Sequence, residues 1–270
     1  MFGATLFGAA PRYQRAFCLI GQAGSGKSRV LGILQGLIPR EVYSAIAPAD
    51  WADKYLPAML FGKLGNFAGE LSETRPIPGE IFKQIIEGAE ITSQNKNMQP
   101  FIFKPQCSHW FGSNHNPKTR DSSEGFSRRW LFLEWNYKVP MHKRVIDLDR
   151  QILEYETEAM VAWAVEGFRR LKQNGDFTFP SSHLVRQDQM AQDNNSVRYF
   201  LTEYNRIIVG RGRTDGEIAE PALHGEYWTF CISTNTTPRV NMKTFHQMMK
   251  ELQEHFDFKQ EVKYTPNGVS

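Results

Sequence analysis

An apolar run, "AFCLI", occupies residues 16–20 and is followed by the glycine-rich "GQAGSGKS" of Gly21 to Ser28. A short continuous apolar run bounded by turn residues predicts a buried strand. Beyond it, Val30, Leu31, Leu34 and Leu37 recur at helical spacing and predict a helix over Arg29 to Leu37. "VYSAI" (Val42 to Ile46) predicts a short strand, and "PADWADKYLPAML" a turn and short helix, with Pro48 and Asp50 at its start. "KLGNFAGELSE" (Lys63 to Glu73) reads as a buried strand ending in carboxylates. In "IPGEIFKQIIEGAE", Ile81, Phe82, Ile85 and Ile86 follow Pro78 and stop at Gly88, the pattern of a capped helix. Ile91 and Ser93, then Phe101 and Phe103, alternate around the polar "NKNMQP" and predict two arms of a hairpin. "CSHWFGSNHNP" is a strand running into a loop at Asn114, "DSSEGFSRR" a short helix or turn, and "WLFLEW" a strand.

Leu148 to Lys172 carries the pattern of a long amphipathic helix stopping at Asn174-Gly175, and "GDFTFPSS" reads as a linker. From His183 the character changes. A polar helix to about Val209, the loop "GRGRTDGE", and helices around Tyr227 and Phe245 predict a small helical domain. In the last of these helices Phe245, Met248, Met249, Leu252 and Phe256 form one stripe, while Lys243, Gln247 and Lys250 fall on another face. The predicted organisation is an α/β domain over residues 1–175, a parallel sheet flanked by helices, and a helical domain over 183–270. A ligand of such a sheet sits at the carboxyl ends of its strands.

Composition narrows the class without choosing a function. The chain has 270 residues, 41% hydrophobic and 23% charged, enough for one substantial core and a second small domain. Mean hydropathy is −0.47 and no apolar run reaches membrane-spanning length, so no membrane partner is expected. The N-terminal "MFGATLFGAAPRYQR" lacks the basic start of a signal peptide. Cys18, Cys107 and Cys231 lie far apart and suggest neither a zinc site nor a disulfide framework, which fits a cytoplasmic setting. A net charge of +3 permits a nucleic-acid partner without arguing for one.

The stretch Gly21, Gln22, Ala23, Gly24, Ser25, Gly26, Lys27, Ser28 has the full G-x4-G-K-S spacing of a phosphate loop. Glycines let successive N–H groups turn towards phosphate oxygens. Lys27 can reach the β- and γ-phosphates, and the Ser28 hydroxyl can ligate Mg²⁺. A strand before and a helix after favour this over a chance glycine-rich turn, so ATP and Mg²⁺ are the expected cofactors. A hydrolase also needs a carboxylate on a neighbouring strand to hold the metal shell and polarise water. Glu70 and Glu73 stand at the end of "LGNFAGE" and just beyond it. Asn114 is placed to touch a γ-phosphate or water, and Arg128 or Arg129, before "WLFLEW", to act as an arginine finger.

In this order, "GQAGSGKS", "FAGELSE", "IPGEIFKQIIEGAEIT", a hairpin, "FGSNHNP" and "FSRRWLFLEW" resemble the superfamily 3 helicase domain of phage and plasmid primase-helicases, over about Ala16 to Asn174. The poxvirus primase-helicase is a more distant relative, and the tail resembles the winged-helix segment that often follows this domain. The resemblance implies an AAA+-like ATPase that forms a ring, usually a hexamer. It would hydrolyse ATP between subunits and draw single-stranded DNA, from a fork, through a central channel. By position it implies Glu70 and Glu73 as the acidic motif, with Ser28 and Glu70 at the metal. Asn114 becomes the sensor and Arg129, preferred to Arg128, the finger. Lys96 becomes the basic residue at the tip of a DNA-gripping hairpin. The acidic motif departs from the family in lacking a run of acids, which leaves open which glutamate activates water. Larger relatives carry a primase or polymerase ahead of the ATPase. Here the loop begins at Gly21, so a primase is expected as a separate chain, or the sequence is a fragment. The setting implied is the cytoplasm of a bacterial host, with the protein encoded by a phage or plasmid. An ATP-gated loader or origin-binding ATPase without unwinding activity is the alternative, and a small-molecule kinase a more remote one, since no arginine-rich lid is evident.

Overall fold

The computed structural model describes residues 1–204, 218–234, 236, 239–256, 258, 264–265 and 268–269. The chain separates into two compact units, Met1–Met190 and Ala191–Ser270. The predicted second domain starts at residue 183, inside a helix, Ser181–Asn194, within which this division also lies.

The first unit opens with two short helices, α1 (Phe2–Leu6) and α2 (Ala10–Tyr13). Then come β1 (Ala16–Gly21), α3 (Lys27–Gly36), β2 (Tyr43–Ser44), β3 (Gly65–Ala68) and α4 (Gly79–Glu87). The hairpin β4 (Ile91–Ser93) and β5 (Phe101–Phe103) precedes β6 (Ser108–Ser113), α5 (Glu124–Ser127), β7 (Trp130–Trp135), α6 (Leu148–Asn174) and α7 (Ser181–Asn194). Five strands form one parallel sheet in the order β2-β3-β6-β1-β7.

The strand sequences explain the layers. Successive side chains point to opposite faces, so a strand buried on both sides is apolar throughout. In β1, Ala16, Cys18 and Ile20 join one core, with Phe111, Trp130 and Phe132 and with Phe82, Ile85 and Ile86 of α4. Phe17 and Leu19 join the other, with Phe67, Trp110 and Leu131, covered by Leu31 and Leu34 of α3 and Leu171 of α6. Both faces of the sheet are therefore flanked by helices. Cys18, Cys107 and Cys231 are buried free thiols.

Several predicted elements come out differently. The strand at Val42 to Ile46 is only two residues long, and the "PADWADKYLPAML" helix is two 3-10 turns, Pro48–Asp50 and Leu56–Leu60. The apolar N-terminus is part of the core: Ala4 and Ala10 are buried, and the Thr5 hydroxyl accepts from the Trp110 indole N–H at 2.9 Å. "GDFTFPSS" is no free linker, because Phe177 packs edge-on against Phe17 and Phe179 lies under the Arg15 guanidinium. Only Ala164 and Leu171 of α6 are buried, while Tyr155 and Trp163 stay exposed, so its apolar positions are not gathered on the core.

In the second unit, the predicted polar helix is interrupted. After α7, Asn195 adopts an extended conformation and its side chain caps α8 (Ser196–Glu203) by accepting from the Arg198 N–H. The loop "GRGRTDGE" and the stretch leading to it from residue 205 lie outside the described residues. Helices α9 (Glu220–Ser233) and α10 (Met242–Phe256) follow, then a two-residue hairpin, β8 (Tyr264–Thr265) with β9 (Gly268–Val269). The core of this unit joins Val197 and Phe200 to Tyr227 and Phe230, and to Phe245, Met249 and Leu252 of the predicted stripe. The Tyr227 hydroxyl, 2.9 Å from Ser196 Oγ, accepts from the Val240 N–H at 2.9 Å, so the buried phenol ties all three segments together. Lys243, Gln247 and Lys250 are exposed on α10.

Candidate functional site at the carboxyl ends of the strands

The central strand β1 delivers Gly21 to the carboxyl edge of the sheet, and the chain turns through Gln22 to Gly26 before α3 begins at Lys27. Gly24 (φ 80°) and Gly26 (φ 99°) take left-handed conformations that L side chains resist, so the glycines are required by the turn itself. Among the described residues, the N–H groups of Ala23, Gly24, Ser25 and Gly26 donate to no protein acceptor. They lie at the N-terminus of a ten-residue helix, where backbone N–H groups and the helix dipole favour an anion.

Lys27 is folded back over this loop. Its ammonium donates to the Gly21 carbonyl at 2.6 Å, the Gln22 carbonyl at 2.9 Å and Asn114 Oδ1 at 3.0 Å. Burial lowers its pKa, and the nearby Glu70 carboxylate acts in the opposite direction. Partial burial of a cation held only by neutral oxygens is a poor resting state, and an anion in the loop would improve it. The free N–H groups, the glycine turn and this lysine fit the phosphates of a nucleotide. The Ser28 hydroxyl, exposed in the first turn of α3, fits a Mg²⁺ bound along with them.

Strand register brings the other residues to the same edge. Ile20 of β1 is level with Ser113 of β6, so Gly21 stands beside Asn114. Ala68, the last residue of β3, is level with Phe111 of β6, so Glu70 follows two residues beyond the strand's carboxyl end. The chain beyond β3 stays against β6: the Leu71 N–H donates to the Gly112 carbonyl at 3.1 Å. A Cβ on Gly112 would stand 2.5 Å from the Gly69 carbonyl oxygen, so only glycine allows this approach. Glu70 and Glu73 are both exposed, but they differ in surroundings. Glu70 acts on Lys27, whereas Glu73 Oε1 lies 3.9 Å from His115 Nε2.

The arginines separate sharply. Arg129 is 5% exposed, and its guanidinium donates to the Gly125 carbonyl and to Glu87 Oε2, each at 2.5 Å. A side chain buried and paired within its own chain cannot reach a neighbour's site, so the preference for Arg129 over Arg128 reverses. Arg128 is the exposed member of the pair. Lys96 is exposed in the loop of the β4–β5 hairpin, beside Asn97 in a left-handed conformation (φ 63°), as the turn-rich sequence predicts.

Two features of the site were not read from the sequence. His115 contacts the Leu71 carbonyl through Nε2 (3.0 Å) and the Asn116 carbonyl through Nδ1 (2.9 Å), fastening the acidic loop to the loop after β6. The segment after β7 crosses the glycine loop, where the Val139 N–H donates to the Gly24 carbonyl at 3.1 Å. Neither has a local signal, since each joins segments far apart in sequence. Among the described residues no group of His, Cys, Asp and Glu forms a metal cluster, and no helix is long and apolar enough to cross a membrane.

The fold and site together are those of an α/β protein with a glycine-rich loop at the carboxyl edge of a five-stranded parallel sheet. Residues 19–129 match the family described as "Family of unknown function (DUF5906)". That span contains the loop, both glutamates, Lys96, Asn114 and both arginines. No curated protein matches the chain. Among solved structures the chain is similar to "The apo structure of NrS-1 C terminal region (305-718)", with a TM-score of 0.54 and 18% identity, covering 94% of this chain and 56% of that one. It is also similar to "The A form apo structure of NrS-1 C terminal region-CTR(305-718)", with a TM-score of 0.51 and 13% identity, covering 99% of this chain and 68% of that one. The chain thus spans little more than half of the first of these, and at such identity the likeness is one of fold.

Proposed function

We propose that the chain is a P-loop ATPase of the AAA+-like, superfamily 3 helicase kind, which works as a ring on single-stranded or forked DNA in phage or plasmid replication. The observation that carries this reading is the 3.0 Å contact between Lys27 Nζ and Asn114 Oδ1. It joins the phosphate-loop lysine to a polar residue from the strand lying between β1 and the acidic strand β3. That strand order supports the AAA+-like reading, because it sets loop, sensor and carboxylate side by side.

Bound ATP with Mg²⁺ would supply a phosphoanhydride primed for in-line attack by water. Within the chain, Lys27 exchanges the Gly21 and Gln22 carbonyls for phosphate oxygens, and the loop N–H groups orient those oxygens. Ser28 holds the metal through its hydroxyl. Glu70, rather than Glu73, orients and deprotonates water, since it is the carboxylate whose field reaches Lys27. Asn114, freed when Lys27 turns away, hydrogen-bonds the attacked phosphate or the water. Arg128 reaches from one subunit to the site of the next and stabilises charge that develops during transfer. Lys96 pairs with successive DNA phosphates, a contact indifferent to base identity. The second unit, which among its described residues has the helices α8, α9 and α10 and the β8–β9 hairpin, is compatible with a winged-helix module.

The test measures ATP hydrolysis by the full chain with and without single-stranded DNA, native mass, and displacement of a strand from a tailed duplex. DNA-stimulated hydrolysis by an oligomer with strand displacement is expected. Stimulated hydrolysis without displacement would mark a loader, and absence of hydrolysis would sink the ATPase reading.

A further inference from the structure

The segment between β7 and α6 carries a charge pattern that the phosphate-loop reading leaves unused. Residues 136–146, "NYKVPMHKRVI", contain Lys138, Lys143 and Arg144 and no carboxylate. The segment is pinned across the glycine loop at three points. At its start the Trp135 ring lies 3.7 Å from where a Cβ on Gly26 would stand. In its middle the Val139 N–H donates to the Gly24 carbonyl at 3.1 Å. At its end Asp149, in the first turn of α6, accepts from Arg29 of α3 at 2.7 Å. The strap therefore has a defined position over the loop.

Arg144 points at the loop, and the Lys138 stem passes close to it. Arg144 Nε donates to the Val139 carbonyl at 3.0 Å, which fixes the guanidinium and leaves its outer nitrogens available. Nη2 lies 2.7 Å from where a Cβ on Gly24 would stand, and Lys138 Cγ lies 3.9 Å from the same point. Among the described residues Arg144 makes no ion pair. The nearby acids are engaged elsewhere: Asp149 with Arg29, and Asp147 with Arg29 and Arg150. A guanidinium over the loop, the partly buried Lys27 ammonium and a row of free N–H groups make this a positive region that an anion would stabilise.

We infer that Arg144, backed by Lys138, is a second cationic ligand for nucleotide phosphates, acting in cis, so that the nucleotide binds between the loop and the strap. The inference rests on the ATPase reading and adds to it a binding residue outside the phosphate loop. A guanidinium can offer two N–H groups to one phosphate, which a lysine cannot reproduce.

The test is equilibrium binding of a ribose-labelled fluorescent ATP to the full chain, with inorganic tripolyphosphate and adenosine as competitors, and separately of a labelled single-stranded oligonucleotide. Arg144→Ala should weaken the labelled ATP by about tenfold or more and lower the potency of tripolyphosphate in parallel. Adenosine competition, oligonucleotide affinity and the melting temperature without nucleotide should be unchanged, and Arg144→Lys should recover only part of the loss. Nucleotide affinity equal to the parent's would overturn the inference and leave the ATPase reading intact. Loss of oligonucleotide binding alone would also overturn it, by assigning the cation to nucleic-acid phosphates. A parent protein that binds no nucleotide would overturn both.

Discussion

Replacing Arg129 by alanine should unfold the protein more readily rather than disable one catalytic step. Its guanidinium is 5% exposed and donates to the Gly125 carbonyl and the Glu87 carboxylate. Hydrogen bonds involving a charged group contribute about 1.5–3 kcal/mol each. Glu87 is 35% exposed, so water can take over much of its solvation once the arginine is gone. The Gly125 carbonyl loses a charged donor, and the side-chain volume leaves a gap. Together these give a loss of about 2–4 kcal/mol, below the ~3–5 kcal/mol of a fully buried pair broken from one side because Glu87 is partly exposed. Arg128→Ala, at an exposed position, should change stability by less than about 0.5 kcal/mol. It should nevertheless lower ATP turnover by roughly 10³-fold, the scale of a missing arginine finger. Urea denaturation followed by tryptophan fluorescence reads the first quantity and steady-state hydrolysis the second. Mixing Arg128→Ala with Lys27→Ala subunits should restore some activity, because certain interfaces then combine an intact loop with an intact finger. An Arg129→Ala protein as stable as the parent, with hydrolysis lost, would refute the structural role assigned to that residue and return the finger to it.

Lys27→Ala should abolish hydrolysis while changing nucleotide-free stability by less than about 1 kcal/mol, since its bonds to loop carbonyls are partly exposed; turnover near the parent rate would remove the phosphate-loop assignment. Lys96→Ala should keep basal hydrolysis but lose DNA stimulation and flatten the salt dependence of single-strand binding; unwinding equal to the parent's would leave Lys96 a turn residue. Acid should weaken the fold through His109, whose pKa burial lowers from 6.5 to about 3. The unfolded chain accepts a proton below about pH 6.5 that the folded chain refuses until about pH 3, so stability present at neutral pH is lost as pH falls. Between pH 7 and 5 that loss is about 2 kcal/mol, and His109→Phe should remove it from the difference between urea titrations at the two pH values.

The glycine-rich turn between β1 and α3 was legible because all its determinants are consecutive: a strand, three glycines, a lysine and a serine within thirteen residues, Ala16 to Ser28. The same holds for the helix ended by Gly88, the hairpin carrying Lys96, and the apolar strands β6 and β7 with Asn114 and the arginine pair beside them. Local spacing dictates local conformation, and the two-sided burial of β1 follows from its unbroken apolar run. What the sequence could not determine was which partner each side chain meets. Arg128 and Arg129 are neighbours of one chemistry. Only the return of α4 beneath α5 brings Glu87 to Arg129 and leaves Arg128 outside. Glu70 and Glu73 are likewise separated only by what each one meets, Lys27 for the first and His115 for the second. Phe177 and Phe179 looked like linker residues because their partners, Phe17 and Arg15, lie at the far end of the unit. The strap carrying Arg144 has no turn or repeat to announce it, and its place over Gly24 depends on the Trp135 ring beside Gly26, one backbone bond and the Arg29–Asp149 pair. Spacing along the chain determined which groups could do chemistry here. Contacts between distant segments decided which of them are free to do it, because burial and pairing depend on neighbours that only the folded chain supplies.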